Sequence, residues 1–348
     1  MAWFSKEIES IFHNEWMCVA RNEELQNKGD FKIIDLLGES IIILRDRDLN
    51  LKAFTNLCKH RGCQLLDTKE ALSGNIGSNI RCPYHSWTYN LQGELIKAPH
   101  LDIDLNDKKY YLNDIRLETW AGCIFLSLNA DTPPLKNHLS GRVEQFSRYP
   151  LNDLISKSHS SYEVNANWKI ILENYNECYH CAGVHPELCN IVPAFRKNGG
   201  ADLQWEEGVP QKKGTNTFTF SGTTNRKPFP GLNEFEKERH FGQAIYPNLL
   251  ISFSMDHVAI FIIHPLSEVK TIIDFHILFH PQAINNADFH PDDAFEFWDL
   301  TNKQDWKICE RVQRGMQSKT FTKGFYGKME DENLDVKQYI TEKLNLND

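Results

Sequence analysis

The stretches NLCKHRGCQLL, residues 56–66, and NIRCPYHSW, residues 79–87, each hold a cysteine followed shortly by a histidine. Two thiols and two imidazoles on two short loops are a complete ligand set for a metal centre. The four candidate ligands are Cys58, His60, Cys82 and His85. Because the flanking residues favour strands and turns, the sequence predicts that this half of the chain folds around the centre as a β-rich domain.

Two chemistries fit these four ligands. Zinc would bind them as a tetrahedral Cys2His2 site, whereas a Rieske [2Fe-2S] cluster would use the cysteines on one iron and the histidines on the other. A zinc finger groups its cysteines before its histidines, but here each loop supplies one of each, as two irons held side by side require. The order therefore favours the cluster, and Cys63 in the first loop is interpreted as a packed thiol that is surplus to the set.

A second constellation lies in ENYNECYHCAGVH, residues 173–185, where two histidines stand five apart behind a glutamate. On an ideal helix a five-residue step rotates the second side chain by about 140°. His180 and His185 can therefore share one ion only if the helix ends or distorts between them. Pro186 predicts such a break, because the residue before a proline is disfavoured in the α region.

Two histidines hold a metal poorly without a third ligand, and the 2-His-1-carboxylate triad of non-haem Fe(II) sites suggests a carboxylate. When the C-terminal helical pattern is plotted from Trp298, Asp305 falls on the inward face and Asp299 on the solvated face. A carboxylate on an apolar face is costly unless it is paired or bound to a metal, so Asp305 is the predicted third ligand. The same inward face is predicted to hold Asn302, Cys309, Val312 and Met316.

Composition and charge limit the class of protein. The 348 residues, with 41% hydrophobic and 24% charged residues, indicate a globular chain long enough for two domains. The net charge of −9 and the scattered basic residues argue against nucleic acid as a partner. No secretion signal and no apolar run of roughly 20 residues is present, so we expect a cytoplasmic protein without membrane contact. In a reducing compartment the cysteines are expected to ligate metal or pack rather than form disulfides.

The remaining pattern predicts strands in the first half and a mixed second half. Short apolar runs in residues 30–60 and 114–128 indicate strands, and the proline-rich residues 130–160 indicate a boundary. Residues 209–242 are polar and irregular, which is typical of a mobile segment or a lid. Residues 247–281 predict three further strands joined by tight turns, and a long helix follows them.

One helix carries the second constellation. The spacing of apolar residues in NANWKIILENYNECYH, residues 165–180, predicts a helix whose apolar face runs from Trp168 to Tyr179. Asn165 or Asn167 can cap its first turn.

The two constellations in this order resemble the oxygenase (α) component of the Rieske non-haem iron oxygenases over most of the chain. The resemblance rests on the Cys-x-His and Cys-x-x-His pair, the NWK that opens the helix, the ENY before an acid, and acid-x-x-His-x-x-x-x-His. It implies an α+β fold, with a β-rich Rieske [2Fe-2S] domain and a helix-grip (START-like) catalytic domain that has an antiparallel sheet and long helices. It divides the chain into residues 1–39, an N-terminal segment packing with the catalytic domain, 40–135, the Rieske domain, and 136–348, the catalytic mononuclear iron domain.

The resemblance also implies an activity. The protein would be a terminal oxygenase that uses O2 and electrons from a separate NAD(P)H-dependent reductase to hydroxylate a small organic substrate, with a cluster and a mononuclear Fe(II) on the two ligand sets. Subunits of the family form homotrimers, in which an electron would pass from His85 of one subunit through Glu177 to His180 of the next. Asn174 and Tyr179 match residues that line the iron pocket, although Tyr179 fits helix packing equally well.

Two departures from the family pattern stand out. The 21 residues between His60 and Cys82 exceed the usual interval, which implies a longer surface turn. Glu177 stands where most of the family has aspartate, and together with YHCAGVHPEL it looks most like the branch that acts on glycine betaine, carnitine or proline betaine. The resemblance therefore implies oxidative N-demethylation of a quaternary ammonium compound.

Two rival functions stay open. An aromatic ring hydroxylating oxygenase would share both centres, and the aromatic side chains available for a cation discriminate little, since 21 phenylalanines offer such faces to any substrate. Those side chains are Trp205, Phe218, Phe220, Tyr246, Phe253 and Phe261. A Rieske-type electron-transfer protein without oxygenase activity would not need His180, His185 or Asp305, and would hold about two irons per chain rather than three.

Overall fold

The structure, a computed structural model, describes residues 2–201 and 203–346. The chain divides into two compact units, the first formed by residues 8–138 and the second by residues 1–7 together with 139–348. Within the described residues, no helix is both long enough and apolar enough to cross a bilayer. Antiparallel sheets and helices occur together, which confirms the predicted α+β class.

The first unit is built from short strands in three antiparallel sheets, ordered β1-β10-β9, β4-β3-β2-β5 and β6-β7-β8. The strands are β1 (Met17–Arg21), β2 (Asp30–Leu36), β3 (Glu39–Arg45), β4 (Leu51–Thr55), β5 (Ser73–Asn75), β6 (Asn79–Arg81), β7 (Thr88–Asn90), β8 (Leu95–Lys97), β9 (Arg116–Trp120) and β10 (Cys123–Ser127).

The core of the first unit reaches the two cysteine loops. In β3, residues 41–44 are all buried, because this strand is internal in its sheet and its apolar run is continuous. Ile42 and Leu44 belong to one cluster of buried side chains with Phe54, Cys58, Cys82 and Trp87. The packing of the β-sheets therefore fixes both cysteines.

The second unit has one six-stranded antiparallel sheet, ordered β11-β16-β15-β14-β13-β12, with helices around it. Its strands are β11 (Ile155–Val164), β12 (Val209–Pro210), β13 (Arg239–Ile245), β14 (Leu249–Phe253), β15 (His257–Ser267) and β16 (Lys270–Phe279). The helices are α1 (Ala2–Glu7), α2 (Leu135–Leu139), which crosses the division between the units, α3 (Trp168–Tyr175), α4 (Cys181–Val184), α5 (Pro186–Ile191), α6 (Glu234–Lys237), α7 (Pro281–Ile284), α8 (Asp292–Met316) and α9 (Asn333–Lys343).

Helix α3 begins as the sequence predicts but ends earlier. The side chain of Asn167 accepts a hydrogen bond from the backbone N–H of Lys169, so Asn167 is the cap. The helix stops at Tyr175, and Tyr179 lies beyond it with 56% of its surface exposed. The predicted place of Tyr179 on the apolar helix face is therefore wrong.

Helix α8 carries Asp305 and packs against α3 and β11. Trp298, Asn302 and Cys309 are buried, as predicted, but Val312 and Met316 are exposed. The inward stripe continues through Gln313 instead, because the amide oxygen of Gln313 accepts the backbone N–H of Asn167 at 2.8 Å. The predicted apolar face is thus correct for about three turns and wrong at the C-terminal end.

The N-terminal residues 1–39, expected to form one segment, fall in both units. Strands β1 and β2 pair with β10 and β3, so residues 8–39 cluster with the first unit and only residues 1–7 cluster with the second. Glu7 explains the latter, since its buried carboxylate accepts the indole N–H of Trp168 at 2.8 Å and pairs with Lys169 at 2.5 Å. The boundaries of independently folding domains stay a prediction.

The segment predicted to be a mobile region or lid contributes to the core. Residues 211–233 contain little regular structure, yet Phe218 is fully buried among them. Arg226 is also buried and donates to Asp256 and Asp293, at 2.8 and 2.7 Å. The three strands predicted in residues 247–281 are confirmed as β14, β15 and β16.

Candidate metal centres

The two cysteine loops of the first unit have the same backbone geometry. The N–H of Cys58 donates to the carbonyl of Cys63, five residues on, and its carbonyl accepts the N–H of Gly62, four residues on. Cys82 repeats both bonds with the carbonyl of Trp87 and the N–H of Ser86. The fourth position after each cysteine has positive φ, +68° at Gly62 and +59° at Ser86, which is uncommon for a serine.

The two loops bring their histidine side chains together and their cysteine side chains together. Nδ1 of His60 and Nδ1 of His85 lie 3.2 Å apart at the exposed end, while the thiols of Cys58 and Cys82 meet inside the unit. Burial and the neighbouring Cys82 thiol raise the pKa of Cys58. A two-iron cluster needs one buried thiol pair and one imidazole pair, so the donor set fits it better than a single zinc ion.

Two outer contacts support the ligand loops. The hydroxyl of Tyr89 accepts the backbone N–H of Lys59 at 3.0 Å, which leaves its proton free for the sulfur of Cys58 at 3.4 Å. Cys63 is half-buried beside Cys82, and its backbone carbonyl closes the first loop. Sequence reasoning missed Tyr89, because nothing in TYN distinguishes a cluster contact from an ordinary core tyrosine.

Replacing Tyr89 with phenylalanine is expected to lower the reduction potential of the cluster by roughly 40 mV, the one-electron equivalent of losing a hydrogen bond of about 1 kcal/mol to a sulfur. The bond favours the reduced, more negative cluster, so its loss favours oxidation. A redox titration followed by visible spectroscopy measures the shift. Tyr110→Phe is the control, because the Tyr110 ring packs on Trp87 at 5.8 Å without a bond to sulfur. An unchanged potential in Tyr89→Phe would refute this role.

The second constellation sits where the helical backbone is interrupted. His180 immediately precedes α4, and His185 stands between α4 and α5 with φ −122° and ψ 67°. Pro186 occupies the first position of α5. The break that Pro186 predicts is therefore present, and it allows both histidines to face one point.

Asp305, on α8, brings a carboxylate to the same place. Its Oδ1 lies 2.8 Å from Nε2 of His185 and 3.2 Å from Nε2 of His180. One ligand atom from each of the three residues lies within 4.8 Å of the others. Two imidazole nitrogens and one carboxylate oxygen, converging in a partly buried site, are the donor set of a non-haem Fe(II) centre with open positions.

The outer nitrogen of each histidine also has a partner. Nδ1 of His180 donates to Oε1 of Glu177 at 2.5 Å, and Nδ1 of His185 donates to the amide oxygen of Gln304 at 2.7 Å. Such bonds fix the tautomer in which Nε2 carries the lone pair that a metal needs. Sequence reasoning found Glu177 but missed Gln304, whose signal was its place directly before Asp305.

The charges of the site balance one another. Burial lowers the pKa of His180, but its bonds to Asp305 and Glu177 outweigh burial and raise the pKa to about 10. Burial raises the pKa of Asp305, and the two histidines reverse this and lower it. Both shifts favour a positive charge beside the carboxylates, which is the charge that a bound metal cation would supply.

The other predicted residues have mixed outcomes. Nδ2 of Asn174 lies 3.4 Å from Nε2 of His180 and lines the cavity. Asp299 is not simply solvated, since it accepts the hydroxyl of Tyr162 at 2.7 Å and pairs with Lys303 at 2.5 Å. The expectation that the cysteines avoid disulfides is wrong at one place, because Cys178 and Cys181 are bonded to each other.

A cavity of about 610 Å³ opens beside the three converging residues. Its walls include the aromatic side chains of Phe195, Trp205, Phe218, Tyr246, Phe261 and Trp298. Phe220 is exposed and Phe253 stacks on Phe146 at 4.0 Å, so these two of the candidate aromatics do not line it. The lining residues come from helices α3, α4, α5, α8 and α9, from strands β13, β14 and β15, and from the irregular segments between elements.

A buried chain of hydrogen bonds orients one wall. The indole N–H of Trp298 donates to Nε2 of His257 at 2.9 Å, and Nδ1 of His257 lies 3.1 Å from Oδ1 of Asp256. The charge of Asp256 is in turn paired with Arg226. The wall therefore holds a fixed orientation next to the three converging residues.

Both the N-terminal and the C-terminal parts of the chain match models of known protein families. The model described as "Ring hydroxylating alpha subunit (catalytic domain)" matches residues 151–345, more than half of the chain. The chain belongs to the ring hydroxylating alpha subunit family. A model of the Rieske [2Fe-2S] domain matches residues 15–110. This alpha subunit is an oxidoreductase whose cofactors are a Rieske cluster and a mononuclear non-haem iron.

Relatives of the alpha subunit are similar over nearly its whole length. The glycine betaine monooxygenase oxygenase subunit of Pseudomonas aeruginosa is 28% identical over 93% of this chain and 82% of its own. The carnitine monooxygenase oxygenase subunit of Escherichia coli is 28% identical over 91% of this chain and 82% of its own. A quaternary ammonium Rieske monooxygenase, whose structure addresses carnitine oxidation and inter-subunit electron transfer, superposes with a TM-score of 0.73 at 25% identity, covering 98% of this chain and 91% of its own. As an oxygenase subunit, this chain works in a multicomponent system with a reductase.

Proposed function

We propose that this alpha subunit removes an N-methyl group from a small quaternary ammonium compound by oxidation with O2. The Rieske cluster would be held by Cys58, His60, Cys82 and His85, and the mononuclear iron by His180, His185 and Asp305. The names of the relatives above suggest the substrate class, and the charge of the cavity supports it independently.

The observation that carries the proposal is the pairing of aromatic walls with carboxylates. Trp298 packs edge-on to Phe218 at 5.3 Å and to Phe261 at 6.0 Å, and all three line the cavity. Beyond the proposed ligands and Glu177, the cavity is also lined by Glu206, Glu332, Asp335 and Glu342, whereas Arg142 is the one lysine or arginine among its described lining residues. Aromatic faces and excess negative charge both attract an organic cation.

The pKa of Glu332 is consistent with an excess of negative charge in the cavity. Burial raises the pKa of Glu332, and the carboxylate of Asp335 raises it further. Two carboxylates that disfavour each other's charge are relieved when a cation comes between them. The same cavity would bind a neutral aromatic hydrocarbon without that gain.

When bound, the cluster and the iron supply electrons and O2 activation for inserting one oxygen atom into a C–H bond. The residues of the chain would hold the ammonium group against the aromatic walls and point one methyl group toward the three proposed ligands. The hydroxylated methyl group leaves as formaldehyde: the C–N bond breaks, its electron pair stays on nitrogen, and the hydroxyl proton is released. The second oxygen atom of O2 takes up the electrons supplied by the reductase together with protons and leaves as water, so the products are a tertiary amine, formaldehyde and water.

Electron delivery is proposed to cross between subunits of a homotrimer. Glu177 is 12% exposed at its side chain and bonds directly to His180, so it can accept a contact from outside while it orients a proposed ligand. His60 and His85 present their imidazoles at the exposed end of the cluster loops. A cytoplasmic location also stays a prediction.

A single turnover tests the reaction without a reductase. Chemically reduced protein is mixed with O2 and one test compound: glycine betaine, carnitine, choline or proline betaine, each in its own reaction. Reoxidation of the cluster and the amount of formaldehyde are measured. We expect formaldehyde and faster reoxidation with at least one compound, approaching one formaldehyde per occupied iron site. A matched reaction without substrate gives the background.

Two negative results of this experiment would have different meanings. Reoxidation that none of the four compounds accelerates, with no formaldehyde, would contradict the proposed substrate class and redirect the search to aromatic rings. A protein with about two irons per chain and no oxygen insertion would instead be an electron carrier.

A further inference from the structure

A buried network of polar and charged side chains ends at the wall of the cavity. The indole N–H of Trp298 donates to Nε2 of His257 at 2.9 Å, and Nδ1 of His257 lies 3.1 Å from Oδ1 of Asp256. The other carboxylate oxygen of Asp256 accepts from Nε of Arg226 at 2.8 Å. We call these four side chains the Trp298 network. Of the four, Trp298 alone is among the described residues that line the cavity, so a ligand needs to reach only the indole.

The direction of the bonds in the Trp298 network follows from the indole. An indole N–H can only donate, so Nε2 of His257 accepts and the imidazole carries its proton on Nδ1, facing Asp256. Burial raises the pKa of the Asp256 carboxyl, but the hydrogen bonds and charges of its neighbours outweigh burial and lower the pKa below its ordinary value. Those neighbours are His257, Arg226 and Thr217. A charged carboxylate therefore stands two hydrogen bonds behind the indole.

A need to satisfy the indole explains the Trp298 network poorly. A buried indole N–H requires one acceptor, and a backbone carbonyl would serve. The protein instead buries a carboxylate and a guanidinium, which are costly to remove from water even as a pair. Hydrogen bonds in series polarise one another, so the carboxylate behind the imidazole leaves more electron density on the indole ring. That density attracts an organic cation, and among aromatic side chains tryptophan attracts it most strongly.

Trp298 also lies on the side of α8 that leads to the proposed iron ligands. It stands seven residues before Asp305, which is about two helical turns and about 10 Å along the axis on the same side. Thr301 and Asn302 lie between them and also line the cavity. A small cation held at Trp298 is therefore on the same wall as Asp305.

We propose that Asp256 and His257 are positioning residues that act through Trp298. Their hydrogen bonds hold the indole at a fixed angle to the cavity and increase its attraction for the ammonium group of the substrate. This inference rests on the proposed function and deepens it. It assigns the preference for a cation over a neutral group of the same shape to side chains that do not themselves line the cavity.

Pairs of ligands that differ in charge but not in shape test this role. Choline and glycine betaine are each compared with the analogue in which a tert-butyl group replaces the trimethylammonium group. Dissociation constants are measured by calorimetry. The cation preference is the constant of the tert-butyl compound divided by that of the ammonium compound.

Two variants of one residue and a control are compared. His257→Leu removes both hydrogen bonds, whereas His257→Gln keeps an acceptor for the indole and a donor for Asp256. His276→Leu is the matched control, because His276 is a buried histidine on the neighbouring strand β16 that bonds to Ser156 at 3.0 Å and not to Trp298.

We expect His257→Leu to lower the cation preference by about 3- to 30-fold, the range of a cation–aromatic contact, through weaker binding of the ammonium compound. The tert-butyl compounds should bind within about 2-fold of their wild-type affinity. His257→Gln should restore most of the preference, and His276→Leu should leave it unchanged. For a compound that yields formaldehyde, KM should rise by the same factor and kcat should change less.

A second background separates the bonded network from the charge of Asp256 acting through space. Trp298→Phe keeps a ring but has no N–H for His257, so the cation preference should fall, and adding His257→Leu should lower it by less than about 2-fold more. Equal losses from His257→Leu in the two backgrounds would overturn the role of the indole. Should His257→Leu fail to fold, Trp298→Phe decides: an unchanged cation preference overturns the proposal, and a loss of about 3-fold or more supports it.

The binding ratio requires no turnover, so this inference and the proposed function fail separately. Formaldehyde from wild-type protein, together with an unchanged cation preference in His257→Leu, would overturn the positioning role and leave N-demethylation in place. A cation preference that depends on His257, without formaldehyde from any compound, would support the Trp298 network and contradict N-demethylation. Wild-type protein with neither formaldehyde nor cation preference would overturn both.

Discussion

Replacing Asp305 with alanine is expected to reduce the iron content from about three to about two per chain and to lower formaldehyde formation below about 1% of the wild-type value. Asp305 is the carboxylate on which Nε2 of both His180 and His185 converge. Changing an outer contact of a metal ligand already costs about 10- to 100-fold in affinity or activity, so loss of a ligand should cost more. Iron analysis and the visible spectrum of the cluster measure the two centres separately.

Asp299→Ala provides a control on the same helix. Asp299 lies six residues before Asp305, and its carboxylate bonds to Tyr162 and Lys303 instead of the histidines. This variant should retain about three irons per chain. An Asp305→Ala protein that also retains three irons would show that another carboxylate holds the ion.

Replacing Glu177 with glutamine should preserve both centres and slow electron delivery by roughly 10- to 100-fold. The glutamine oxygen can still accept from Nδ1 of His180, but the negative charge is lost. The other carboxylate oxygen of Glu177 accepts the backbone N–H groups of Tyr179 and His180, which an amide nitrogen cannot do. The variant therefore loses both the charge and part of the geometry at the proposed crossing point.

Stopped-flow reoxidation of the reduced cluster in the presence of O2 and substrate measures this rate, with iron content determined on the same sample. Glu173→Gln is the matched control, because Glu173 lies one turn earlier and bonds to Tyr326 at 2.9 Å rather than to His180. Normal turnover in Glu177→Gln would exclude the route through this side chain.

The sequence predicted which residues converge at each candidate centre, because each set depends on a local rule. Pro186 indicated the helix break that the structure contains, and helical periodicity separated Asp305 from Asp299. The errors lie where a tertiary contact overrides local pattern. Gln313 took the inward position of α8 through its bond to the backbone of Asn167, a contact that no spacing within the helix encodes.

The walls of the cavity were less predictable than the three residues that converge beside it. Trp205 and Phe218 line it while Phe220 does not, because they belong to an irregular segment in which hydrophobic period gives no direction.

The matched cysteine loops have a consequence for how the protein acquires its cluster. Each loop offers one of the two proposed sulfur ligands and one of the two proposed nitrogen ligands, so neither loop alone could satisfy either iron. Insertion is therefore expected to be cooperative, because both loops must already be aligned before the first iron is held. Maturation then acts as a check on folding, because a chain with misaligned strands would remain colourless.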